Sequence, residues 1–82
     1  MIDMANLDKY DKAFQKGLAI KKNQLGKKLK YNSIDKWDSI AHMNLMSELE
    51  GIFKISIDTD DIIDFSSYEK GKKILKKYKI II

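Results

Sequence analysis

Residues 38–53 read DSIAHMNLMSELEGIF, and this stretch carries the clearest helical pattern in the chain. Its apolar side chains recur every three or four residues, which is the period of one face of an α-helix. They are Met43, Leu45 or Met46, Leu49, Ile52 and Phe53. Asp38 suits the N-cap position, because its carboxylate accepts hydrogen bonds from first-turn amides and its charge complements the helix dipole. We therefore predict a helix from Ser39 to about Phe53, with Ser39 in its first turn and the apolar stripe in the core.

A first amphipathic helix precedes this stretch, and a long segment separates the two. The pattern over residues 4–14 predicts a helix of about a dozen residues that ends by Gly17 or somewhat later. Its apolar positions are Met4, Leu7, Tyr10 or Asp11, and Phe14. The segment from about Lys21 to Trp37 shows no sustained period, so we expect a long loop packed on the core. Its possible anchors are Leu25, Leu29, Tyr31, Ile34 and Trp37.

Two further helices follow. The acidic run 58–61 favours the start of a short helix that continues to Phe65. Ser66, with Glu69 three residues later, forms a capping-box pattern that opens a last helix with apolar positions as far as Tyr78. Residues 55–57 alternate like a strand, but three residues cannot form a sheet. We predict an all-α fold in a single domain over residues 1–82, a bundle of three main helices plus one short helix with a long first loop.

The residue types present exclude several classes of site. The chain has no cysteine and one histidine, so it has no disulfide framework or thiolate ligand and cannot complete a multi-histidine metal site. Asp3 and Asp8 interrupt the N-terminus before an apolar run develops, and residues 80–82, the longest apolar run, are far too few to span a bilayer. We therefore expect a soluble, cytoplasmic protein with no metal site and no membrane span.

Charge is segregated along the chain. Residues 1–34 carry eight lysines against three aspartates and residues 65–82 carry six lysines against one glutamate, so each flank has a net charge of +5. Residues 35–64 carry eight acids against two lysines, a net charge of −6 that would attract a basic partner. The flanks leave open a second interpretation, a small basic helical module that binds nucleic acid or an anionic surface. All 16 basic residues are lysine, whereas bidentate base recognition favours arginine.

The residues Trp37-Asp38-Ser39-Ile40 resemble the Asp-Ser-Leu signature of acyl carrier and peptidyl carrier proteins, with isoleucine in place of leucine. In that family the serine receives a 4′-phosphopantetheine arm. The residues that follow resemble the family's remaining helices and loop. They are residues 43–50, Phe53, Ile55, Ile57, residues 60–62, residues 65–67 and residues 73–75. The likeness to the acyl carrier family covers residues 31–79, is loose over residues 1–30, and implies an acyl-carrier-like bundle.

The resemblance implies a carrier and not an enzyme. Ser39 would bear 4′-phosphopantetheine as a covalent cofactor, and Asp38 would be the helix N-cap beside it. A phosphopantetheinyl transferase would attach the arm with magnesium and coenzyme A, an acyl-loading ligase or synthase would charge its thiol with an acyl or aminoacyl group, and an acyltransferase would unload it. In such carriers the helical interior can admit an acyl chain. We expect a monomer with no nucleic-acid partner.

The resemblance also implies a docking surface for partner enzymes on the second and third helices. Its candidate residues are Ile40, Met43, Glu48, Glu50, Asp60, Asp61 and Asp64. Exposed acids of this kind chiefly steer the encounter with a basic partner and set its salt dependence. The lysine-rich flanks, and the neutral Ala41 and Asn44 at positions where the family commonly has acids, favour a specialised biosynthetic route.

Two aromatic side chains near Ser39 have simpler interpretations. A lone histidine on a helix is usually a surface or packing residue, so we assign His42 no catalytic role. Trp37, just before the cap, is expected to anchor the helix start against the bundle. Without a general base and a third orienting group nearby, Ser39 is not expected to act as a nucleophile by itself.

Overall fold

The computed structural model describes residues 4–82 as four α-helices and one 3₁₀ turn. The elements are α1 (Met4–Leu18), the 3₁₀ turn (Lys22–Gln24), α2 (Ser39–Phe53), α3 (Thr59–Asp64) and α4 (Tyr68–Lys76). The β-pairing within these residues is limited to one isolated antiparallel bridge between Lys30 and Ser67. The predicted all-α bundle, with three longer helices, a short one and a long first loop, is confirmed. Asp3 lies outside the described residues. It was one of the two aspartates on which we based the expectation of no membrane span at the N-terminus.

Helices α1 and α2 pack in direct contact. At Gly17 the backbones come so close that an added Cβ would lie 2.6 Å from the Cα of Leu45. This approach lets α2 bury Leu45, Met46 and Leu49 completely, or nearly so, against α1. The first helix ends at Leu18, one residue past Gly17 and within the predicted limit, but it has 15 residues where about a dozen were expected.

The long first loop is fixed on the core. Leu29 and Trp37 are buried, and Trp37 has no exposed surface. Backbone hydrogen bonds join the loop to the start of α4. The Tyr31 N–H donates to the Ser66 carbonyl at 2.9 Å, and the Tyr68 N–H donates to the Leu29 carbonyl at 3.0 Å. These contacts therefore fix the position at which the loop ends and α2 begins.

The last helix begins one serine later than predicted. Ser67 is its N-cap, and the Ser67 Oγ accepts a hydrogen bond from the Lys70 N–H at 2.9 Å. The predicted capping box of Ser66 and Glu69 is wrong, because the Ser66 carbonyl pairs with the first loop and Glu69 lies only two residues beyond the actual cap. Helix α4 ends at Lys76, before the end of the apolar pattern.

Aromatic side chains and satisfied polar groups fill the centre of the bundle. The buried aromatic residues are Tyr10, Phe14, Trp37, Phe65 and Tyr68. The Tyr10 hydroxyl donates to the Tyr68 carbonyl at 2.6 Å, and the Tyr68 hydroxyl donates to the buried carboxylate of Asp11. Burial raises the pKa of both tyrosines, and the bond to Asp11 raises that of Tyr68 further. Within residues 4–82 no buried side-chain nitrogen or oxygen lacks a partner.

No helix of the described residues is long and apolar enough to cross a membrane. The longest helices, α1 and α2, have 15 residues each. A membrane-spanning helix needs about 20 consecutive apolar residues.

Candidate attachment site at Ser39

Ser39 is the first residue of α2, and its side chain is exposed. Asp38 is the N-cap, as predicted, and its Oδ1 accepts a hydrogen bond from the Ala41 N–H at 2.8 Å. The Asp38 carbonyl already accepts the His42 N–H at 2.8 Å, which is the first bond of the helical ladder. A first-turn position places the Ser39 hydroxyl beside backbone amides that have no acceptor within the helix. An anionic group on this oxygen would gain from those amides and from the helix dipole.

An open groove lies beside Ser39, between α2 and α3. Its volume is about 370 Å³. The lining is mainly apolar, and it consists of Tyr31, Ser39, His42, Met43, Ile62, Ile63, Phe65 and Ser66. We call this feature the Ser39 groove. Ser39 and Ser66 are the small hydroxyl side chains of its lining, and both are exposed.

Exposed apolar side chains lie near Ser39 on α2 and α3. Ile40 is 74% exposed, Met43 53% and Ile63 76%. Met43 was predicted both in the core stripe and on the docking surface; its place in the core is wrong, because it lines the Ser39 groove. Clustered exposed apolar groups on a folded domain usually mark an interaction site. Ile40 and Met43 therefore have the exposure that the predicted docking role requires, and Ile63 joins them.

His42 connects the start of α2 to both neighbouring elements. Its Nδ1 lies 2.9 Å from the Trp37 Nε1, which donates, and its Nε2 lies 2.8 Å from the Ile62 carbonyl oxygen. Since the indole can only donate, Nδ1 must accept, and Nε2 carries the proton that goes to Ile62. We call Trp37, His42 and the Ile62 carbonyl, with these two bonds, the His42 clasp. Sequence reasoning found Trp37 as a packing anchor but missed the clasp.

The His42 clasp also lies among aromatic rings. The centroid of the His42 ring is 5.5 Å from that of Tyr31 and 6.1 Å from that of Phe65, both in edge-to-face arrangements. The Trp37 ring lies nearly parallel to the imidazole at 6.1 Å. The ring is thus held from several sides at the floor of the Ser39 groove.

Comparison of this chain with protein-family models, with curated proteins and with solved structures finds no match. The case for a function therefore rests on the residues around Ser39 and on their geometry. The residues that would contact partners are also inferred from this geometry.

Asp61 is largely withdrawn from solvent by its contacts with the end of the chain. It is 8% exposed, and its carboxylate accepts hydrogen bonds from the Lys77 Nζ at 2.7 Å and from the Tyr78 hydroxyl at 2.6 Å. The hydrogen bond from Lys77 is the larger cause and that from Tyr78 the next, and both lower the pKa of Asp61. The bond to Asp61 in turn raises the pKa of Lys77. Its carboxylate is thus engaged with the residues that follow α4, and the partner-binding role of Asp61 stays a prediction.

The other predicted docking acids fall into two groups. Glu50 is half-buried, and its Oε2 accepts the Ile57 N–H at 2.8 Å, so it fixes the connector between α2 and α3. Glu48 is exposed, but it borders a different groove, together with Lys12 and Lys16 of α1. Exposed acids on α3 are Asp60 and Asp64, of which Asp64 lies 3.4 Å from the Lys70 Nζ. The predicted set therefore does not form one surface, and its accessible acids near the Ser39 groove are those of α3.

The imidazole beside Ser39 is occupied by hydrogen bonds of its own. Both ring nitrogens of His42, the one imidazole in the chain, are engaged by Trp37 and Ile62. Neither is free to take a proton from the Ser39 hydroxyl. Over the described part of the chain, no group of three or more His, Cys, Asp or Glu side chains is arranged to hold a metal ion. What the arrangement offers is an accessible hydroxyl at a helix N-terminus, beside an apolar groove.

Proposed function

We propose that this chain is a carrier protein whose Ser39 receives 4′-phosphopantetheine and which carries acyl or aminoacyl thioesters between partner enzymes. The observation that supports this most is the position of Ser39. It is an exposed hydroxyl at the first residue of a 15-residue helix, capped by Asp38 and next to an apolar groove. The Asp-Ser-Ile motif that resembles the carrier signature thus lies at an exposed, capped helix start, which supports the proposal.

The local geometry fits a phosphodiester on Ser39. First-turn amides and the positive end of the α2 dipole favour a negative charge at this oxygen. The exposed side chain leaves room for a second protein to approach. When bound, the arm supplies a thiol that carries the cargo as a thioester, chemistry that this cysteine-free chain cannot supply by itself.

Attachment requires a separate transferase. In that step the Ser39 Oγ forms a bond to the phosphorus next to the pantetheine in coenzyme A, and the bond to the adenosine bisphosphate leaving group breaks. The hydroxyl proton goes to a base of the transferase, since the nitrogens of His42 are engaged. Magnesium bound by the transferase would offset the charge of the leaving group. The role of Ser39 is to be modified, so the chain itself is proposed not to be an enzyme.

The surface around Ser39 supports docking to several enzymes in turn. Exposed Ile40, Met43 and Ile63 offer an apolar centre, and Asp60 and Asp64 offer charge at its edge on α3. A transferase, a loading ligase or synthase, and an acyltransferase are the proposed partners. An apolar centre with an acidic edge suits transient contact, in which the charge speeds the encounter and the apolar groups supply affinity.

A second function is favoured by a different surface. Lysines 73, 76, 77 and 79 at the end of the chain are all exposed, which would suit a module that binds nucleic acid or another anionic surface. Such binding would weaken steeply as salt increases. It would not require Ser39.

The two functions separate in one experiment. The protein is incubated with coenzyme A, magnesium and a broad-specificity phosphopantetheinyl transferase, and its intact mass is followed with time. We expect a single added arm on the wild-type chain and none on Ser39→Ala. Ser66→Ala is the matched control, since Ser66 lines the same groove and is also exposed, and it should be modified like the wild type. A folded chain that resists several transferases while binding nucleic acid with a steep salt slope would favour the basic module.

A further inference from the structure

His42 lies between the Ser39 groove, which it lines, and the buried Trp37, to which it is hydrogen-bonded. The imidazole lines the groove, and Phe65 beside it is buried. Behind the ring stands Trp37, which has no exposed surface. A group that moved from the Ser39 groove past His42 toward Trp37 would have to break the bond between His42 and the Ile62 carbonyl.

Displacement of His42 would deprive the Trp37 N–H of its acceptor and would leave the Ile62 carbonyl with only the Phe65 N–H, at 3.4 Å. The Trp37 N–H, both nitrogens of His42 and the Ile62 carbonyl take part in the two bonds of the clasp. A polar group left unpaired away from water costs more free energy than a typical hydrogen bond contributes. An acyl chain brings only apolar atoms and cannot replace these bonds. The clasp therefore opposes entry of the cargo, in contrast to the interior burial that the family resemblance suggests.

The helix on the far side of the groove depends on the same contact. Helix α3 has six residues, and its Ile62 carbonyl is the point that His42 holds from 20 residues earlier in the chain. A helix this short has little stability of its own and is positioned by its tertiary contacts. The contact therefore helps to fix the wall of the Ser39 groove that α3 provides, together with the bonds of Asp61 to Lys77 and Tyr78.

We propose that His42 is a specificity-determining residue, which keeps a thioester-bound acyl group in the Ser39 groove and out of the bundle interior. This inference rests on the proposed attachment at Ser39. A groove of about 370 Å³ lies at the small end of the range for ligand sites, so the carrier suits short acyl and aminoacyl groups. Longer chains would extend into solvent or into a partner enzyme.

The test compares the chemical accessibility of thioesters of different length. Acetyl and decanoyl coenzyme A are used with the transferase to place either acylated arm on Ser39, and intact mass verifies loading. Each thioester is then cleaved with hydroxylamine, and its rate is divided by the rate of the same thioester on free coenzyme A. This ratio removes the intrinsic difference in reactivity between the two acyl groups. The rate of cleavage falls to the fraction of molecules in which the thioester is exposed, because a buried thioester does not react.

Three forms of the protein give the decisive comparison. In the wild type we expect the decanoyl and acetyl ratios to agree. In His42→Ala the clasp is absent and space opens beside Phe65, so we expect the decanoyl form to be protected. A burial equilibrium of about three to one would slow cleavage about fourfold. His42→Gln retains a donor and an acceptor at this position and should lie closer to the wild type.

The outcomes separate this inference from the proposed function. Protection of the decanoyl form in the wild type would overturn the role of His42 while leaving attachment at Ser39 intact, and this result does not depend on any variant folding. Equal ratios in both the wild type and a folded His42→Ala would overturn it as well, since something other than His42 would then exclude the chain. Failure to attach any arm to the folded wild type would remove the proposed function and this inference together.

Discussion

Replacement of Gly17 by alanine sets helix propensity against packing at the contact that holds α1 on α2. In an exposed helix interior, Gly→Ala stabilises by about 1 kcal/mol. Here the added Cβ would lie 2.6 Å from the Cα of Leu45 and 2.9 Å from its backbone nitrogen, atoms that move only if α2 moves. Overpacking costs about 1–3 kcal/mol, and a clash with backbone belongs near the upper end. We therefore expect Gly17→Ala to lower the free energy of unfolding by about 2 kcal/mol after the gain in propensity.

Gly51→Ala is the matched control for this substitution. Gly51 lies in α2, and a Cβ added there meets no atom within 4 Å, so alanine should stabilise by about 0.5–1 kcal/mol. Urea unfolding followed by circular dichroism and by the fluorescence of Trp37, the one tryptophan, measures both changes. For a domain of this size, a loss of about 2 kcal/mol lowers Tm by roughly 8–16 °C. If Gly17→Ala stabilises the protein as Gly51→Ala does, the predicted clash with the backbone of Leu45 is refuted.

Three further predictions concern the site and its supports. Asp38→Ala removes the side-chain acceptor of the Ala41 amide, so we expect urea unfolding to show a loss of about 1 kcal/mol in the free energy of unfolding. Asp38→Asn keeps an acceptor and should retain most of the wild-type stability. Equal losses in the two variants would show that the cap bond is not the cause. Hydrogen bonds from Lys77 and then Tyr78 lower the pKa of Asp61, so its contribution to stability is complete above the ordinary aspartate pKa and is lost as pH falls through the lowered folded value. Urea midpoints measured from about pH 6 to about pH 2 should therefore fall less steeply for Asp61→Asn than for the wild type, and parallel curves would contradict this coupling. Ile63→Ser should change the free energy of unfolding by less than about 0.5 kcal/mol, since the side chain is 76% exposed. The same substitution should lower the kcat/KM of the transferase for arm attachment. An unchanged kcat/KM would exclude Ile63 from the docking surface.

The features that sequence predicted well are those fixed by neighbouring residues. Helix α2 runs from Ser39 to Phe53 as predicted, because its apolar period and its cap lie within one continuous stretch. Asp38 caps the helix through a bond to an amide three residues away. The exposure of Ile40 also follows from its place in the helical period, on the side opposite Leu45 and Leu49.

The features that it missed depend on contacts between distant residues. Asp61 looked like one more exposed acid, and only the approach of Lys77, 16 residues later, buries and pairs it. His42 has no local partner pattern, since one of its two bonds reaches Ile62 on the next helix. Ser67 replaces Ser66 as the cap of α4 because the first loop pairs with this part of the chain. Helical period and capping rules carry no information about such pairings.

The most direct test of the carrier assignment locates the modification on the chain. After incubation with coenzyme A, magnesium and a transferase, trypsin cleavage after Lys36 and Lys54 yields the peptide 37–54, which contains Ser39 and, as an internal alternative, Ser47. Fragmentation of this peptide in a mass spectrometer then assigns the added arm to one serine. We expect the arm on Ser39 and nowhere else. A peptide that remains unmodified in a folded protein, or an arm on Ser47, would contradict the assignment of Ser39 as the attachment site.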